Sequence, residues 1–304
     1  MNQGEICKAL KGSDVKVQSH TLVFLYKSGT LSELKLVMGY FQACSHPKLK
    51  QTAVKVASHI IRTNLIKNYQ SLKPSMCKSL AKLMGGMDPQ VVNAIADDLK
   101  SENNEIRLHA ICILGLMGTN PRTRELLEEL VTDRSEKVRA TAISLMKELV
   151  DRKDMTLIIK MLKDTDNRVV ANTVETIESI QRPQQAILLV KYMDHPNNRV
   201  RGNVLKALWN LGHYDIYKSM QNMAEDPEDY LMRTSACWVM GELFNDTDYE
   251  YLALLSTCLQ DKHPLVRENA IKAFLKIGGD SLTTLREMAN RNEIEAAEKQ
   301  LYPE

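Results

Sequence analysis

Residues Asp164–Ile180, DTDNRVVANTVETIESI, hold the pattern on which the chain is built. An Asp ends one apolar segment and a short polar turn follows. The pair Val169-Val170 then opens a helix, with the small Thr173 three positions after the pair and Ile177 seven positions after it. With the second residue of the pair as a ruler, the pattern returns at Lys50, Arg107, Arg139, Arg201, Arg233 and Arg267. From Arg107 onward the steps, Val170 included, are 32, 31, 31, 32 and 34 residues. A period in this range marks stacked supersecondary units, each unable to bury its apolar face alone.

Three residues after each ruler position stand Ala53, Ala110, Ala142, Thr173, Val204, Ala236 and Ala270, small or β-branched every time. Seven after it stand Ala57, Leu114, Met146, Ile177, Leu208, Met240 and Phe274. The −1, +3, +7 and +10 positions share one face of a helix, so each of these helices carries an apolar stripe that a neighbour must cover. Helices of this second kind are expected to begin near Glu105, Glu136, Asn167, Asn198, Glu228 and Pro264. They are preceded by first helices beginning near Pro89, Pro121, Asp154, Pro183, Tyr214 and Asp248. Most of the prolines fall at these starts or in the turns before them, where a missing N–H costs little.

The paired helices, their period and the recurring Asp and Arg resemble HEAT-type repeats, relatives of the armadillo repeats. The resemblance implies an all-α, right-handed α-solenoid of about ten antiparallel helix pairs. One solenoid is expected over 1–304, with irregular pairs at 1–88, regular repeats at 89–279 and a charged cap at 280–304. In the irregular part the expected pairs are Ile6–Lys11 with Val15–Tyr26, Ser32–Cys44 with Lys48–Ile61, and Leu65–Leu72 with Pro74–Met84. HEAT-type repeats also tie neighbouring layers by Asp–Arg pairs. Asp133, Asp164, Asp194, Asp226 and Asp261 are thereby expected to cap and pair, each exposed pair contributing roughly 0–1 kcal/mol. Val170 interrupts the row, and Arg168 is the expected substitute.

With 40 basic and 38 acidic residues the chain has no broad attraction to nucleic acid or anionic lipid. Its six cysteines form no Cys-x-x-Cys and fall mostly within helical patterns, which suits reduced thiols in a cytoplasmic protein. Met1–Glu5 shows no basic region leading into an apolar run, so no signal peptide is expected. No apolar segment approaches the roughly 20 residues that span a bilayer.

No motif for phosphate, dinucleotide or zinc chemistry is present, and the histidines are scattered. Paired His-Glu motifs like those that hold iron in HEAT-type hydroxylases are missing as well. The sequence therefore predicts no catalytic residue, no metal and no cofactor. It points to a non-catalytic scaffold whose inner face takes a peptide segment or helix of another protein. On the open side of the second helices stand the chain's two tryptophans, Trp209 and Trp238, with Lys206, Asn210, His213 and Glu242 around them. Large aromatics on an open face are enriched among interface hot spots.

Beside them runs a polar row at +2, Asn172, Asn203, Ser235 and Asn269, placed to hold the backbone of an extended peptide. The armadillo repeats use such a row of amides, although here His213 and Glu242 stand four residues after the tryptophans where that family has Asn. Nucleic-acid binding in the manner of HEAT-like DNA glycosylases is the alternative, favoured by Lys206, Lys272 and Lys276 and opposed by Glu175, Glu178, Glu242 and Glu268. A bilin-lyase-like role is a more distant resemblance.

Overall fold

The computed structural model describes residues 1–118, 121–147, 156–212 and 215–302. Among them it contains nineteen α-helices and no strand. They form an all-α solenoid that divides into two compact units, Met1–Leu145 and Met146–Glu304.

In the first unit the helices are α1 (Gln3–Lys11), α2 (Val15–Ser28), α3 (Leu31–Ala43), α4 (Pro47–Asn68), α5 (Pro74–Met87), α6 (Val91–Asp98), α7 (Asn104–Met117), α8 (Pro121–Leu130) and α9 (Glu136–Met146). The starts follow from local chemistry. Asn2 and Thr30 form capping boxes with Glu5 and Glu33, Asp14 caps α2, and His46 followed by Pro47 opens α4. α2 packs on α4 and α5 on α7, burying Leu22, Leu25, Ala53, Ala57 and Ile60 among others.

One expected boundary is corrected. α4 does not end at Ile61 but runs on to Asn68, so no separate helix covers Leu65–Leu72. No Gly or Pro interrupts this stretch, Leu65 continues the buried stripe, and the polar residues turn back onto the helix. Thr63 Oγ1 donates to the His59 carbonyl and Asn64 Nδ2 to that of Ile60, each at 2.8 Å. The far end of α4 then packs on α5, taking the place of the missing first helix.

In the second unit follow α10 (Thr156–Met161), α11 (Asn167–Ser179), a 3₁₀ turn (Pro183–Gln185), α12 (Ala186–Val190), α13 (Asn198–Asn210), α14 (Tyr217–Ala224), α15 (Tyr230–Leu243), α16 (Tyr249–Cys258), α17 (Pro264–Ile277), α18 (Ser281–Met288) and α19 (Arg291–Leu301). The expected starts at Asp154 and Tyr214 lie outside the described residues. The second helices α11, α13, α15, α17 and α19 pack side by side in chain order, and α14, α16 and α18 do the same behind them. All the +3 and +7 residues from Ala53 to Phe274 are buried, as the apolar stripe requires.

The Asp–Arg pairing is only partly a surface feature. Arg107 reaches Asp133 at 2.8 and 2.9 Å, and Arg233 reaches Asp261 at 2.6 and 3.0 Å, across adjacent repeats. These arginine side chains are only 3% and 6% exposed. The expected worth of an exposed pair therefore understates the cost of removing one partner here, which would leave a buried charge. Arg201 instead reaches Asp194 of its own repeat, Arg267 uses Glu293, and Arg168 binds Asp166.

Candidate functional site

The open faces of α11, α13, α15 and α17 form one cleft of about 450 Å³. It is lined by Glu175, Asn198, Arg199, Gly202, Asn203, Thr234, Ser235, Trp238 and Asn269. Trp238 stands about two turns into α15 and is 41% exposed. Its ring lies over α13 where Gly202 leaves room: a Cβ there would sit 3.9 Å from the indole Cε3 and 3.3 Å from Val239 Cγ2. The rest of the cleft is polar, with Arg199 3.6 Å from Glu175.

Four of the residues expected from sequence thus come together: Asn203, Ser235, Trp238 and Asn269. Asn172 is next to them, its Oδ1 accepting from Arg199 at 2.8 Å. The others go elsewhere. Trp209 is half-buried and edge-on to Phe244 and Tyr251, with ring centroids 5.0 and 6.0 Å away. Lys206 donates to both carboxylate oxygens of the buried Glu178 at 2.6 and 2.8 Å, and Asn210 donates to one of them at 2.6 Å. Glu242 pairs with Lys276 at 2.6 Å. His213 lies outside the described residues.

The amide row is engaged within the protein. Asn203 donates to the Ala171 carbonyl and to Glu175 at 3.3 and 2.8 Å, and Asn269 donates to Leu265 of its own helix at 2.8 Å. Ser235 Oγ is 2.7 Å from Asn198 Nδ2, which donates to it. Such bonds link α11 to α13 and α13 to α15, and they differ from an open row of amides awaiting a peptide backbone.

Asn198 and Arg199 were not among the residues singled out from sequence. They precede the ruler position, yet stand four residues before Gly202 and Asn203, on the same helical face. Extending the face count one turn towards the N-terminus would have found them.

Chemically the cleft offers an exposed indole, hydroxyl groups and one balanced pair of charges. No group of three or more metal-ligating side chains occurs among the described residues, and no described helix is long and apolar enough to cross a membrane. The cysteines are free, with Cys77, Cys237 and Cys258 buried and Cys7, Cys44 and Cys112 half-buried.

A family model described as HEAT repeats matches residues 123–209 and 221–300. No curated protein matches the chain in sequence. Among solved structures, YibA of Escherichia coli is similar at 19% identity over 97% of this chain and 99% of its own, with a TM-score of 0.47. The complex of CpcE and CpcF of phycocyanin lyase from Nostoc sp. PCC7120 is similar at 19% identity over 78% of this chain and 94% of that one, with a TM-score of 0.45. An engineered protein is similar at 15% identity over 99% and 98%, with a TM-score of 0.46.

Proposed function

Because the chain belongs to the HEAT-repeat family, we propose that it is a non-catalytic protein-binding scaffold and that the Trp238 cleft takes a peptide segment or helix of a partner. The observation that carries this reading is Trp238 itself, a large aromatic left 41% exposed in a cleft built from four successive second helices. An exposed indole loses the most water-facing apolar area when a side chain covers it, which is why tryptophan is enriched among hot spots. Since the amides of Asn203 and Asn269 are engaged, affinity comes from an apolar anchor against the indole, with Arg199, Glu175 and Thr234 orienting the chain around it.

The alternative of a nucleic-acid cradle is not favoured by the same faces. Lys206 is paired with Glu178, Lys272 with Glu268 and Lys276 with Glu242. A phosphate backbone would have to break these pairs to gain its own contacts.

The test is selection of peptides from a displayed random library on the full chain, followed by affinity measurement on variants. Trp238→Ala should weaken the selected peptides by at least about 2 kcal/mol, roughly thirtyfold, and leave the melting temperature within a few degrees. Trp209→Ala should instead lower stability, by about 2–3 kcal/mol, because its ring is packed on Phe244 and Tyr251. Unchanged peptide affinity in the Trp238→Ala variant would remove the cleft from the binding site.

A further inference from the structure

The first unit contains a larger cleft, of about 750 Å³, outside the surface just described. It opens between the first two helix pairs, walled by α1, the start of α2 and α3, and by the turns that follow α1 and α3. The geometry points to a binding site for a single-chain carboxylate amphiphile, an alkyl chain carrying one terminal carboxylate.

The volume lies within the roughly 300–1,000 Å³ of small-molecule sites. The walls are apolar, with Leu10, Val15, Leu36 and Ala43 among them. The cleft stays open because α3 has Gly39 in its wall, where an added Cβ would meet nothing within 4 Å. The side chains of Tyr40, Gln18 and Cys44 are already engaged with one another and with the backbone. Tyr40 Oη donates to Gln18 Oε1 at 3.1 Å and accepts from Cys44 Sγ at 3.4 Å, while Gln18 Nε2 donates to the Gly12 carbonyl at 2.7 Å. An occupant therefore gains little by offering polar groups to the walls and more by offering apolar surface.

The charge is one-sided. Lys11 and Lys35 line the cleft, no carboxylate does, and neither lysine has an ion-pair partner among the described residues. Both are exposed, so their ammonium groups stand in water while the stems lie along apolar surface. The helix ends do not offset this charge, because each turn joins one helix C-terminus to one N-terminus. A carboxylate at the mouth would meet two cations, and the chain behind it would meet the apolar walls. A cationic amphiphile would be repelled, and a neutral one would gain only the burial.

The probe is sodium decanoate, titrated calorimetrically into the full chain, with 1-decanol and decyltrimethylammonium as neutral and cationic counterparts. Saturable decanoate binding at one site is expected, with slower alkylation of Cys7 and Cys44 but not of Cys112. Gly39→Leu fills the cleft at a helical position that favours a side chain, and should weaken decanoate at least tenfold without lowering the melting temperature. The Lys11→Glu, Lys35→Glu double variant touches only exposed side chains and should weaken decanoate at least tenfold while leaving decanol unchanged. Absence of saturable decanoate binding, full affinity in Gly39→Leu, or decanol and decyltrimethylammonium binding as tightly as decanoate would each overturn the assignment.

Discussion

Trp209 and Trp238 occupy adjacent second helices at +8 and +5, about 60° apart around the helix axis. That angle turns one ring onto Phe244 and Tyr251 and leaves the other over Gly202. Counting helical faces identified both as border or open positions. It could not separate them, because the partners of Trp209 belong to the end of α15 and to α16, far along the chain. The same limit applies to Lys206 and Asn210, which face outward by periodicity but are drawn onto the buried Glu178 of the preceding repeat.

Buried charge sets the strongest residue-scale expectation. Burial by itself would raise the Asp261 carboxyl, but Arg233 and the His263 amide hold it below its ordinary value. Asp261→Ala would leave the Arg233 guanidinium buried without its anion and should destabilise the second unit by about 3–5 kcal/mol in chemical denaturation. Acid should act through the caps. The Ser32 hydroxyl and the Thr30 amide lower Glu33 to about 2, and the side chain of Arg168 lowers Asp166 to about 2. A carboxylate whose folded pKa is depressed contributes stability above its unfolded pKa, 4.5 and 3.8 for these residues, and loses it as pH falls through the folded value. The melting temperature should therefore decline between about pH 4.5 and about pH 2. Replacing both residues by their amides, Glu33→Gln with Asp166→Asn, should flatten that decline.

At the scale of the helix, most boundaries were legible because each rests on a local signal. Asn103, Asp166, Asn197 and Asp229 cap second helices, and Pro47, Pro183 and Pro264 stand in first turns. Among the described residues the register failed where such a signal is missing, at residues 62–64 within α4. A polar triplet imitates a turn there, but Thr63 and Asn64 bond back to their own helix and Arg62 reaches the Ala94 carbonyl and Asp98 of α6. Close approach of helices has its own signature at Gly241 in α15. A Cβ there would come 2.8 Å from the Cα and Cβ of Ala273 in α17. Gly241→Ala raises helix propensity by about 1 kcal/mol, yet overpacking should dominate and leave the protein about 1–3 kcal/mol less stable by thermal unfolding. A stabilised variant would show that α15 and α17 can separate at little cost.

For the whole molecule, a repeating stripe at +3 and +7 is enough to specify stacked helix pairs, since every such residue from Ala53 to Phe274 is buried. Function is less legible, because stacking constrains the buried faces and leaves the open ones free to vary. The sequence placed Trp238 on an open helix face, and it is exposed there. It also suggested an open amide row, of which the folded chain uses Asn172, Asn203 and Ser235 to bind one repeat to the next.

The most direct test is the emission of one tryptophan at a time. In the Trp209→Phe protein, Trp238 is the sole reporter and begins 41% exposed. Saturation with a library-selected peptide should shift its emission to the blue, because the partner takes the indole out of water. In the Trp238→Phe protein the remaining Trp209 should not respond. A response from Trp209 with none from Trp238 would contradict the account and place the partner on a different surface.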